Sequence, residues 1–219
     1  MTVRVNKIDL YYEKTGTGPP LILLHGNGES HRLFRKAAPL FAGNYTVYAI
    51  DSRGHGKSTR VKPLHYADMA EDAARFIDKL DLEAPCLYGF SDGGIVGLLL
   101  AVAHPDMLSK LAVSGANLSP AGLTGGMLRT TRAMYALTRG ARWKLMLDEP
   151  NIPERLLSHI DIPTLVLAGG RDIVREEHTR AIAGAIPGAR LCILPGEDHG
   201  SYVENHQKLY GLLAPFFAE

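Results

Sequence analysis

Apolar residues fall into two rhythms along the chain. Val3, Val5, Ile8, Leu10 and Tyr12 alternate with polar neighbours, and Asn6-Lys7 separates the two runs. That alternation around a two-residue break predicts an antiparallel hairpin with one wet face. Further on, Leu21–Leu24 is a continuous apolar run, and Tyr45–Ile50, Leu108–Ser114, Pro163–Ala168 and Ala189–Leu194 read as further strands. Such runs suit parallel strands covered on both faces. Helical spacings lie between them. His31–Ala42 carries Leu33, Phe34, Ala37, Leu40 and Phe41, with Gly43 as a stop. Tyr66–Leu80 gathers Tyr66, Met69, Ala70, Ala73, Phe76, Ile77 and Leu80 on one face. Met127–Leu147, Glu176–Ala185 and Ser201–Phe217 read as further helices.

Strands alternating with helices predict an α/β fold: a mostly parallel central sheet, helices on both faces, and the hairpin as an antiparallel edge. With 219 residues one domain, 1–219, is the expectation. Asn117–Asp161 shows no strand. Residues 116–162 therefore read as an insertion beyond the carboxyl ends of the strands, where ligands bind in such sheets. The expectation is a small helical lid.

The stretch Pro85–Leu100 is an apolar strand, a tight turn and a Gly-rich apolar helix. Its Gly89-Phe90-Ser91-Asp92-Gly93 matches G-x-S-x-G. A serine on a sharp strand-to-helix turn needs small residues two positions to either side. The turn pushes the Ser91 hydroxyl out of the sheet and aims the Asp92 N–H, at a helix start, toward an oxyanion. An ordinary Gly-rich turn has the same composition, so the partners of Ser91 decide between the two readings. A serine hydroxyl needs a base, and the base needs an acid to hold its tautomer. Of nine histidines, His199 lies directly after the last strand and before the last helix, on the same rim as Ser91. His25 and His55 sit in Gly-rich loops that they are expected to hold together. His104 precedes a proline at a helix end, and His31, His65, His159, His178 and His206 read as surface or helix positions. For the acid, Asp172 follows the strand ending in Leu165–Ala168, whereas the preceding strand is followed by Asn117 and no carboxylate.

The order Ser91, Asp172, His199 is that of the α/β-hydrolases. The chain resembles a serine hydrolase of that superfamily through His25-Gly26-Asn27-Gly28, Asp51–Ser58 (DSRGHGKS), Gly89–Gly94, Gly170-Arg171-Asp172 and Asp198-His199-Gly200. The resemblance implies that the backbone N–H of Asn27 is the second oxyanion donor beside that of Asp92. It also implies that the Arg53–Ser58 loop is structural. It further implies an acyl-enzyme on Ser91, a small ester as substrate, and no metal or organic cofactor. Relatives use the same triad for C–C bond hydrolysis or cofactor-free perhydrolysis. A ligand-binding receptor on the same scaffold is the non-catalytic alternative. Ser-Asp-Gly-Gly also resembles hydrolases of amino-acid esters, so Asp92 is either a substrate-binding carboxylate for a cationic group or a helix-start carboxylate favoured by the dipole.

Composition narrows the partners. The formal net charge of +1 gives no reason to expect nucleic acid or an anionic membrane. Arg129, Arg132, Arg139, Arg142 and Lys144 read as a solvated face of the lid rather than an anion site. Cys86 and Cys192 lie in apolar runs and read as small core residues in a reduced compartment. The N-terminal residues lack the apolar core of a signal peptide, and a cytoplasmic location is expected. A lid this short leaves room for a second copy to complete the pocket, so a homo-oligomer is compatible.

Overall fold

The computed structural model describes residues 1–219. The chain opens with strands β1 (Thr2–Val5) and β2 (Ile8–Thr15). Asn6 and Lys7 both have positive φ, 43° and 67°, the condition for a two-residue turn that matches strand twist. Next come β3 (Pro20–Leu24), helix α1 (Ala38–Phe41), β4 (Thr46–Ile50), α2 (Tyr66–Lys79), β5 (Cys86–Phe90), α3 (Asp92–Ala103) and β6 (Lys110–Ser114). Helices α4 (Gly125–Thr138), α5 (Ala141–Asp148) and α6 (Glu154–Leu157) fill the strandless segment. The chain closes with β7 (Thr164–Arg171), α7 (Glu176–Ala185), β8 (Arg190–Asp198), α8 (Ser201–Glu204) and α9 (His206–Ala218).

All eight strands form one sheet in the order β1-β2-β4-β3-β5-β6-β7-β8. Its β1/β2 and β2/β4 pairs are antiparallel and the rest are parallel. Side chains alternate across a strand, so each central strand feeds two cores. Ile22, Leu24, Leu87 and Val113 join residues of α2 and α3. Leu21, Leu23, Tyr88 and Ala112 join Phe34, Leu213 and Phe217 on the other face. Full burial of each Val, Leu, Ile or Phe side chain among them stabilises the fold by about 1.5–3 kcal/mol. The order of winding reverses between β3 and β5, and Ser91 stands at the carboxyl end of β5. Ligand sites in open α/β sheets form at that crevice.

Three predicted helices are broken. His31–Ala42 becomes a short 3₁₀ turn, His31–Phe34, followed by α1. Pro39 fits only the first turn of a helix, so the helix begins again there. Met127–Leu147 splits into α4 and α5, because Arg139 takes the left-handed conformation at φ 50° and Gly140 follows it. Ser201–Phe217 splits at Asn205, whose side chain caps α9 by accepting from the Lys208 N–H. Strands β7 and β8 run past their predicted ends at Ala168 and Leu194, to Arg171 and Asp198.

His31, read as a surface or helix position, lies in the 3₁₀ turn and is buried, 4% exposed. Its Nδ1 lies 2.8 Å from Asp51 Oδ1 and its Nε2 lies 3.1 Å from Glu13 Oε1. Asp51 also accepts from the N–H groups of His31 and Lys57. Arg53 grips buried Asp72 with Nε and Nη2, each at 2.6 Å. The 51–58 loop is thus a hydrogen-bonded knot behind the site, as its structural reading anticipated. Cys86 is buried, Cys192 is half-buried, and both are free thiols.

Candidate active site

Ser91 sits between β5 and α3 with φ 53° and ψ −116°. A non-glycine residue there stores on the order of 1–3 kcal/mol of backbone strain. The strain is held from outside: the Ser91 N–H donates to the Ser114 carbonyl at 2.7 Å. The flanking glycines are required by space. A Cβ at Gly89 would overlap the Gly93 carbonyl, and a Cβ at Gly93 would overlap the Leu24 carbonyl. This is the physical content of G-x-S-x-G in this chain.

The register of β7 and β8 brings the other two candidates together. Arg171 pairs with Asp198 after a bulge between Gly169 and Arg171, so the next residues, Asp172 and His199, face each other. His199 Nδ1 lies 2.6 Å from Asp172 Oδ1, and its Nε2 lies 3.0 Å from Ser91 Oγ. An ionised carboxylate can only accept. The proton is therefore on Nδ1, and Nε2 is left as acceptor for the Ser91 hydroxyl. Asp172 is 3% exposed in its side chain and also accepts from the Val174 and Gly169 N–H groups at 2.9 and 3.3 Å. His199 packs on Phe90, with ring centroids 4.9 Å apart.

Asn27 lies in the loop after β3, and Asp92 is the first residue of α3. The backbone N–H of neither donates to another protein group. The Asp92 side chain is not in the pocket wall. It is 7% exposed, with Oδ2 accepting from Asn27 Nδ2 at 2.9 Å and Oδ1 from the Tyr66 hydroxyl at 2.8 Å. Burial raises its pKa to about 6 against the pull of those two bonds. A solvated helix-start carboxylate is thus not what the fold contains, and both oxygens are engaged before any substrate arrives. His25 is buried and holds its loop as expected. Its Nε2 accepts from the Ser52 N–H at 3.1 Å, and burial lowers its pKa to about 4.

Ser91 and His199 open into a pocket of about 290 Å³. Leu33, Met127, Trp143, Met146 and Ile173 form its apolar wall. Two carboxylates missed at the sequence level, Glu29 and Glu204, also line it, and no lysine or arginine does. Glu29 Oε2 accepts from the Gly26 N–H at 2.8 Å, and burial raises the Glu29 pKa. The basic residues of α4 and α5 face solvent. Gly115 was missed as well. It has φ 62°, and a Cβ there would lie 2.5 Å from His199 Cε1. Its place directly after β6 was the available signal.

Such an elbow on such a sheet defines the class. The α/β hydrolase fold family matches over residues 19–139, more than half of the chain, and the protein belongs to that family. Among its relatives, Serine hydrolase BPHL from Homo sapiens is 28% identical over 234 residues, covering 92% of this chain and 80% of the relative. A pimeloyl-(acyl-carrier protein) methyl ester esterase from Neisseria meningitidis serogroup B is 26% identical, covering 90% of this chain and 92% of the relative. The crystal structure of an enol-lactonase from Burkholderia xenovorans shares the fold, with a TM-score of 0.84 and 21% identity over the whole of both chains. No helix is long and apolar enough to cross a membrane.

Proposed function

We propose that the protein is a serine hydrolase of small carboxylic esters, acting through an acyl-enzyme on Ser91. The observation that carries this reading is the continuous hydrogen-bond chain Ser91–His199–Asp172 at the mouth of the pocket. His199 Nε2 takes the Ser91 proton as Oγ attacks the ester carbonyl, and Asp172 stabilises the imidazolium that forms. The oxyanion is received by the N–H groups of Asn27 and Asp92, which have no other acceptor. His199 then returns the proton to the leaving alcohol, and water repeats the sequence to release the acid. Losing one such donor typically costs about 100- to 1,000-fold in rate.

The pocket volume is at the small end of ligand sites, which favours short acyl and alcohol groups. Its two carboxylates disfavour anionic ones. Residues 116–162 act in this reading as the lid, with Met127, Trp143 and Met146 as its contribution to the wall. The test compares wild type and Ser91→Ala in two assays, fluorophosphonate labelling followed by intact mass and hydrolysis of a short-chain aryl ester. One adduct on wild type only, with Ser91-dependent turnover, is the expected result. Labelling without turnover would move the reading to a C–C substrate, and no labelling of folded wild type would move it to a ligand-binding receptor.

A further inference from the structure

Asp92 is a buried carboxylate with no cation beside it. Its two oxygens are the origin of two hydrogen-bonded arms that run in different directions and reach the same helix. On the first arm, Asn27 Nδ2 donates to Asp92 Oδ2 and also to the Arg142 carbonyl, at 2.9 and 3.3 Å. On the second, the Tyr66 hydroxyl donates to Asp92 Oδ1 at 2.8 Å. The Tyr66 backbone N–H donates to Glu149 Oε2 at 3.0 Å. Glu149 Oε1 lies 2.6 Å from His65 Nδ1. Arg142 is in the first turn of α5, and Glu149 is its C-terminal cap residue. The two arms therefore grip α5 at both ends, and α5 carries Trp143 and Met146 of the pocket wall. The first arm also passes through the side chain of the residue whose backbone N–H is the proposed oxyanion donor.

We propose that Asp92 is a positioning residue, whose carboxylate holds the Asn27 oxyanion loop and helix α5 in register with the nucleophile. This rests on the serine-hydrolase reading above. It assigns the Asp92 carboxylate a role that makes no contact with substrate, separate from that of the Asp92 backbone N–H. A carboxylate that recognised a cationic ester would instead have to present an oxygen to the pocket. Charge is not what the role needs. An asparagine at 92 can accept from Asn27 through its carbonyl oxygen and donate to the Tyr66 hydroxyl oxygen through its amide, so Asp92→Asn is the conservative variant. Asp92→Ala severs both arms, and Tyr66→Phe severs one with little change of volume.

The experiment measures kcat/KM on 4-nitrophenyl acetate, which is neutral, and on glycine ethyl ester, which is cationic. It also measures the fluorescence emission of Trp143, the only tryptophan in the chain and a reporter placed on α5. Far-UV circular dichroism checks that each variant is folded. Asp92→Ala is expected to lose about tenfold on both esters, short of the loss of a whole oxyanion donor, and to shift Trp143 emission to longer wavelength. Asp92→Asn is expected to stay within about threefold of wild type on both. Tyr66→Phe should lose activity in wild type and lose little more in the Asp92→Ala background, because the two share one arm. An Asp92→Ala protein with wild-type turnover and emission would overturn the proposal. So would an Asp92→Asn loss confined to glycine ethyl ester, which would put the charge against substrate. Absence of Ser91-dependent turnover in wild type would instead defeat the serine-hydrolase reading, with the Trp143 shift still testing the two arms.

Discussion

Replacing Asp92 by asparagine should change how stability depends on pH, in a direction and window that the structure fixes. Burial raises the Asp92 pKa from its ordinary 3.8 to about 6. The folded chain therefore holds this proton more tightly than the unfolded chain does. The group's contribution is most favourable below about 4 and is lost as pH rises through about 6. At about 1.4 kcal/mol per tenfold change in proton affinity, the full loss is about 3 kcal/mol. Asparagine keeps the shape and removes the titration. The stability of Asp92→Asn relative to wild type should thus rise by about 2–3 kcal/mol between pH 4 and pH 8, most of it below pH 6. Urea denaturation followed by circular dichroism at steps across that range measures the difference. His25 acts with the opposite sign in the same window. Its pKa is lowered to about 4, so its contribution is present above about 6.5 and lost as pH falls. The two offset each other in wild type, and the variant should show the His25 limb as a steeper loss of stability on acidification. Parallel pH profiles for wild type and Asp92→Asn would refute the reasoning, because they would mean that Asp92 is not a buried charge.

Two further substitutions probe the frame around the site. Gly115→Ala would place a Cβ 2.5 Å from His199 Cε1 at a backbone φ of 62°. The imidazole must then move, and kcat should fall at least tenfold while Ser91→Ala-level inactivity marks the floor; an unchanged kcat in an ester assay would show that the ring is not seated as described. Arg53→Met leaves Asp72, 2% exposed, without its bidentate partner. It should cost about 3–5 kcal/mol in urea denaturation, and a cost under 1 kcal/mol would mean that water reaches Asp72.

The sheet and the meeting of Ser91, Asp172 and His199 were legible because each rests on local signals with long reach. Unbroken apolar runs mark strands covered on both faces, and a strand's carboxyl end fixes which loops meet. Ser91, Asp172 and His199 each follow directly after the last residue of a strand, β5, β7 and β8. What could not be read was the direction of side chains that depend on distant partners. His31 opens a predicted helix, and its burial depends on Asp51 and Glu13, on other elements, which face it. Asp92 has the sequence of a solvated helix start, and Tyr66, Asn27 and α5 close over it. Glu29 enters the pocket by folding back on the Gly26 N–H, a turn that no periodicity announces. The broken helices failed for a local reason: apolar spacing continued across Pro39, Gly140 and Asn205, where the backbone did not.

The central claim is a covalent acyl intermediate on Ser91. It is tested most directly by mixing the protein with excess 4-nitrophenyl acetate, quenching in acid within the first turnover, and mapping any added acetyl group by peptide mass spectrometry. The account predicts one acetyl group on the Ser91 peptide, a burst of 4-nitrophenol equal to the enzyme concentration if deacylation is the slower step, and neither in Ser91→Ala. Turnover that persists in Ser91→Ala, or an acetyl group on any other residue of an active wild type, would contradict it.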